Sequence, residues 1–104
     1  MSSPSDTPPS LPALAPFVVE GEIDMASAPA LEAALRTHIE ASSGDVVVDC
    51  AQMTFIDSTG IAVFIRVAHE LDAADRRLVV TNLQANCRRV FELIGAEAVL
   101  RIDE

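Results

Sequence analysis

The sequence predicts a single α/β domain in which short strands alternate with helices. Short valine-rich apolar runs recur at 17–19, 46–48 and 78–80. Between them lie stretches whose apolar residues return every three to four positions, the period of one helix face. The 104 residues, 50% of them hydrophobic, are enough for one core and too few for two domains. A chain that runs strand, helix, strand pairs its strands in parallel through right-handed crossovers.

The elements follow in order. Residues 1–16 hold five of the six prolines together with several serines. Such a segment buries too little apolar surface to order itself, so residues 1–10 are expected to be a disordered tail and 11–104 the domain. Leu11 to Leu14 offers a short edge strand, weakened by Pro12 and Pro16. Residues 17–22 read as a strand, with Gly21 marking a bend. Ser27 is a suitable N-cap, Pro29 fits the first helical turn, and Leu31, Leu35 and Ile39 form an apolar stripe beside Ala34. Ser42-Ser43-Gly44 ends that helix. Val46-Val47-Val48 suits a central strand covered on both faces, closed by Asp49 and Cys50. Residues 52–57 read as a loop with Met53, Phe55 and Ile56 turned inward. A second helix runs from Ser58 to about Ala74 on a stripe of Ile61, Phe64, Ile65, Ala68 and Leu71. Residues 77–81 read as a strand. Asn86 is placed to cap a third helix carrying Cys87, Val90, Phe91 and Ile94, with Gly95 at its C-terminal turn. Residues 98–102 form the last strand.

Composition excludes several chemistries. All seven basic residues are arginines, so a Schiff-base lysine, a P-loop lysine and a lysine general base are impossible. The net charge of −9 repels nucleic-acid phosphates and anionic lipid. No stretch approaches the ~20 apolar residues of a membrane span, and the N-terminus lacks the basic and apolar regions of a secretory signal. A cytoplasmic protein with reduced cysteines is expected, Cys50 and Cys87 serving as core residues. His38 and His69 fall on polar faces of different helices and read as surface histidines. No metal-ligand spacing occurs. Arg76-Arg77 and Arg88-Arg89 read as solvated helix ends.

The informative stretch is Phe55-Ile56-Asp57-Ser58-Thr59-Gly60-Ile61, which leads into a helix N-terminus. Taken locally, Asp57 and Ser58 could simply cap orphan N–H groups. The same position favours negative charge, so a hydroxyl there is also a ready place for a phosphate.

Gly21-Glu22-Ile23-Asp24, then Val46-Val47-Val48-Asp49, then Phe55-Ile56-Asp57-Ser58-Thr59-Gly60, in that order and spacing, closely resemble the STAS domain of sulfate transporters and anti-sigma factor antagonists. The resemblance runs from about Phe17 to Ile102. It implies a mixed sheet of four to five strands with about three to four helices, and no enzymatic activity or cofactor. It implies a partner, a serine-kinase anti-sigma factor of the histidine-kinase-like ATPase fold, and a PP2C-type phosphatase acting in the opposite direction. Ser58 matches the family's phosphate acceptor. Asp24 and Asp57 match acidic positions near it, Thr59 a second hydroxyl position, and Gly60 completes the partner-binding set. The family's fuller first strand is replaced here by a short proline-rich segment.

Two other readings compete. Some stand-alone STAS proteins sit on the ATPase of an ABC-type transport complex, a role that needs no phosphorylatable serine. An aspartate phosphoreceiver is suggested by Val46-Val47-Val48-Asp49, but receivers also use a lysine. The Gly-x-Ser-x-Gly elbow of serine hydrolases and glycine-rich nucleotide loops are absent.

Overall fold

The computed structural model describes residues 15–103. The order is β1 (Phe17–Ile23), α1 (Ala28–Glu40), β2 (Val46–Ile56), α2 (Ser58–Ala73), β3 (Leu78–Thr81), α3 (Ala85–Ile94), a 3-10 turn at Ala96–Ala98 and β4 (Arg101–Asp103). The sheet order is β1-β2-β3-β4, and all three pairings are parallel. The expected strand near Leu11, and with it the mixed character of the sheet, lies outside the described residues.

Successive right-handed crossovers in this order put α1, α2 and α3 on one face of the sheet. Burial agrees. Leu35 of α1, Phe64 of α2 and Phe91 of α3 join Val46, Val48, Cys50 and Val80 in one core. Phe64 and Phe91 meet edge to face at 5.4 Å. Val47 points the other way and is half-buried, so the expected covering of the central strand on both faces is not found among the described residues.

The expected loop at 52–57 is instead the second half of β2. Against β1 the register slips twice, at Val18/Glu20 and at Gly21/Glu22. Gly21 takes φ +76° at the second slip, which a Cβ would disfavour. These slips bury Cys50, Met53 and Ile56 at intervals of three. The period-two signature of a strand is therefore missing, and Phe55, expected inside, is 46% exposed.

Beyond Asp49, β2 outruns β3, and side chains replace the missing ladder. Gln84 Nε2 donates to the Ala51 carbonyl (3.0 Å), the Cys87 thiol to Met53 O (3.7 Å) and Asn86 Nδ2 to Thr54 O (2.9 Å). Asn86 is thus occupied with β2, and the N-cap of α3 is Gln84 rather than Asn86. At the far end of the chain, Leu100 N donates to Ala96 O, so the 3-10 turn takes the residues expected to open the last strand.

Three further expectations change. Arg76 is not a solvated helix end. Its guanidinium donates to Gly44 O (2.7 Å), Ser42 O (3.2 Å) and Ser42 Oγ (3.1 Å), closing the C-terminus of α1. His38 is half-buried, with its ring 5.3 Å from that of Phe17. Ile94 is 45% exposed rather than part of the α3 stripe. Cys50 and Cys87 are buried as expected, and burial pushes the Cys50 thiol up to about 12, where it stays protonated.

Candidate functional site

Parallel strands bring their C-terminal ends to one edge, where the helices begin. Ile23 ends β1 and pairs with Ile56, which ends β2. Asp24 and Asp57 follow directly and therefore emerge side by side. The Asp57 N–H donates to the Ile23 carbonyl at 3.1 Å, fastening the two strand ends together.

Both aspartates fold their carboxylates back onto the chain. Asp24 Oδ1 accepts from Ala26 N (3.0 Å), Ser27 N (3.1 Å) and Ser27 Oγ (3.1 Å). Ser27 stands at the helix start but makes no side-chain cap, because its hydroxyl is engaged with Asp24 and Glu22. Asp57 is the N-cap of α2. Its Oδ1 accepts from Thr59 N (3.0 Å), Gly60 N (3.1 Å) and Thr59 Oγ1 (2.6 Å). The Thr59 hydroxyl first, and then the Gly60 N–H, hold the Asp57 carboxyl below the usual carboxylate range.

Ser58 is the first residue of α2 and is exposed. Its hydroxyl has no hydrogen-bond partner among the described residues. The helix end offers it less than the sequence suggests, since Asp57 already takes the Thr59 and Gly60 N–H groups.

Gly60 is buried rather than part of the open surface. A Cβ there would stand 2.7 Å from Ile23 Cγ2 and 2.8 Å from Ile56 Cγ1. Its role is to let α2 come down onto the ends of both strands, which sets the height of Ser58 above the sheet.

Sequence reasoning missed the apolar flanks of this edge. Met25 is 75% exposed in the turn after Asp24, and Phe55 is exposed just before Asp57. Between α1 and α2 runs a groove lined by Met25, Ala28, Pro29, Thr59, Ala62 and Val63. Glu32 and Arg66 also line it, and there Glu32 receives Arg66 (2.7 Å) and Arg36 (2.8 Å), while Arg36 also pairs with Glu70. Exposed methionine and phenylalanine within three residues of each aspartate would have been the available signal.

No helix among the described residues is long and apolar enough to cross a membrane.

The STAS family model, described as "Mlab, STAS domain", matches residues 16–101. Anti-sigma-B factor antagonists are similar in sequence. That of Staphylococcus epidermidis is 28% identical over 86 residues, covering 83% of this chain and 80% of the relative. That of Staphylococcus aureus strain NCTC 8325 is 27% identical over the same shares. Among solved structures, a candidate anti-sigma factor antagonist from Thermotoga maritima superposes with a TM-score of 0.74 at 11% identity, covering 84% of this chain and 77% of its own. The anti-sigma factor antagonist SpoIIAA in its unphosphorylated form gives 0.63 at 20% identity, covering 84% and 76%. With four strands in one sheet and three helices among the described residues, and with its Asp-Ser-Thr-Gly helix start, the chain belongs to the STAS domain family.

Proposed function

We propose that this chain is a cytoplasmic anti-sigma factor antagonist. It binds a serine-kinase anti-sigma factor of the histidine-kinase-like ATPase fold, frees the sigma factor held there, and is switched off when that kinase phosphorylates Ser58. A PP2C-type phosphatase restores it. One observation carries the reading: the Ser58 hydroxyl stands exposed at a helix start, with no partner among the described residues, directly after Asp57 and at the sheet edge where Asp24 and the exposed Met25 also emerge. The names of the sequence relatives support it.

In the unmodified state, Met25 and Phe55 give the partner apolar area, and Asp24 and Asp57 suit a basic rim. Phosphorylation adds about −1.5 to −2 charge beside Asp57. Repulsion, bulk and unmet desolvation then act together, and each ~1.4 kcal/mol lowers affinity tenfold. The fold should survive. Attraction to the helix N-terminus and repulsion by the Asp57 carboxylate act on the phosphate in opposite directions, and solvent screens both.

The test begins with a pull-down from the native cell, identified by mass spectrometry. An anti-sigma kinase on the bait supports the reading, and an ABC-type ATPase in its place moves the chain to a transport complex. The captured kinase is then titrated with wild type, Ser58→Ala and wild type phosphorylated in vitro. Ser58→Ala should bind and take no phosphate, and the phosphorylated protein should bind at least about tenfold more weakly. Equal affinity of the two wild-type forms overturns the switch.

A further inference from the structure

Two adjacent hydroxyls, Ser58 and Thr59, sit on the same exposed helix start, yet their states differ. Thr59 Oγ1 donates to Asp57 Oδ1 at 2.6 Å, and the same oxygen holds the Thr59 and Gly60 N–H groups. Ser58 Oγ has no partner among the described residues. The geometry points to Asp57 as the residue that restricts phosphate acceptance to Ser58, by holding the Thr59 hydroxyl against its own carboxylate. This rests on the phospho-switch proposed above.

The chemistry of transfer gives Asp57 two ways to exclude Thr59. In the step, a serine or threonine Oγ attacks the γ-phosphorus of a nucleoside triphosphate supplied by the kinase. The bond from that phosphorus to the bridging oxygen breaks, the nucleoside diphosphate leaves, and the hydroxyl proton passes to the kinase's base. Thr59 has its proton committed to Asp57 and its oxygen drawn back toward the helix cap, so it presents neither to the kinase. A phosphate on Thr59 would also replace that 2.6 Å hydrogen bond with a dianion against a carboxylate whose low pKa keeps it charged. The Ser58 hydroxyl has no partner to surrender among the described residues, and a phosphate on it would leave the hydrogen bond between Thr59 and Asp57 in place. Asp57 thus acts as a positioning residue through Thr59.

The test uses the full chain, ATP and the kinase captured in the pull-down, with each phosphate located by fragment mass spectrometry. Wild type should carry phosphate on Ser58 alone, and Ser58→Ala should stay blank. Ser58→Ala combined with Asp57→Gly should gain phosphate on Thr59, where Ser58→Ala alone takes none. Glycine is chosen because it is tolerated at a helix N-cap and removes only the side-chain acceptor. Asp57→Ala in the same background is the second variant, and circular dichroism checks that both fold. Two results overturn the inference while leaving the switch intact: Thr59 phosphorylated in Ser58→Ala as fast as Ser58 in wild type, or both folded double variants blank while Asp57→Gly alone still takes phosphate on Ser58. A wild type that takes no phosphate overturns the switch and this inference together.

Discussion

The N–H of Asp57 reaches the carbonyl of Ile23 at 3.1 Å, joining residues 34 positions apart across the ends of two parallel strands. Through that bond the α2 cap is built on the sheet rather than on a free loop. Ser58 is held at a fixed height, and whatever moves α2 relative to β1 moves the candidate acceptor.

Gly60→Ala tests that height. The substitution would add helix propensity, up to about 1 kcal/mol. The new Cβ, however, meets Ile23 Cγ2 at 2.7 Å and Ile56 Cγ1 at 2.8 Å, atoms close to the backbone that cannot swing aside. Overpacking wins, and a net loss of about 1–3 kcal/mol is expected in urea unfolding. An unchanged or higher midpoint would show that α2 has room to lift.

Val48→Asp and Val47→Asp separate the two faces of the sheet. Val48 is fully buried under the helices, and an unpaired carboxylate there costs several kcal/mol, against about 5–15 kcal/mol of total stability. The first variant should fail to fold. Val47 is half-buried on the opposite face, and Val47→Asp should remain folded with a lowered melting temperature. Equal damage from the two would mean that both faces are equally closed.

Arg76→Ala and Arg77→Ala should differ although the residues are adjacent. Arg76 satisfies the carbonyls of Ser42 and Gly44, and its loss leaves them without that donor, at about 1–3 kcal/mol. The exposed Arg77 side chain should be replaceable within about 0.5 kcal/mol. Chemical denaturation of both variants decides the point, and similar midpoints would remove the structural role of Arg76.

Glu32 predicts an acid limb. Hydrogen bonds from Arg66, then from Arg36, hold its carboxyl down at about 2 instead of the ordinary 4.5. A depressed carboxylate contributes stability that is fully present above 4.5 and fades as pH falls toward 2. Melting temperatures at pH 6 and pH 3 should therefore drop further in wild type than in Glu32→Gln. Parallel curves would show that the Glu32 pairs exist without contributing.

The local chemistry of a helix start makes the cap at Asp57 and the exposed first position of Ser58 legible in the sequence, whereas Gly60, read there as partner-binding, is packed against Ile23 and Ile56, contacts that no local pattern shows. The helix stripes are legible where period and packing agree, at Leu31 and Leu35, at Ile61, Phe64, Ala68 and Leu71, and at Cys87 and Phe91, but not at Ala34 or Ile94, which are exposed. β2 was half hidden because two register slips put Cys50, Met53 and Ile56 inside at intervals of three, a spacing that fits neither strand nor helix. Arg76 and Asn86 were misread because their partners, Gly44 and Thr54, lie 32 residues away. A short sequence window cannot see a hydrogen bond of that range.

The donors of Gln84, Asn86 and Cys87 along the outrunning half of β2 have a consequence for how this protein keeps company. A bare strand edge invites any extended peptide, including a second copy of itself, to continue the ladder. Here the outward carbonyls of Ala51, Met53 and Thr54 are already spoken for by side chains that carry no strand of their own. An intruding chain would have to evict one donor for each of these carbonyls it paired with. Strand addition along this half of β2 is thereby disfavoured, which leaves β1 and β4, the outermost strands among the described residues, as the places where a further strand could join.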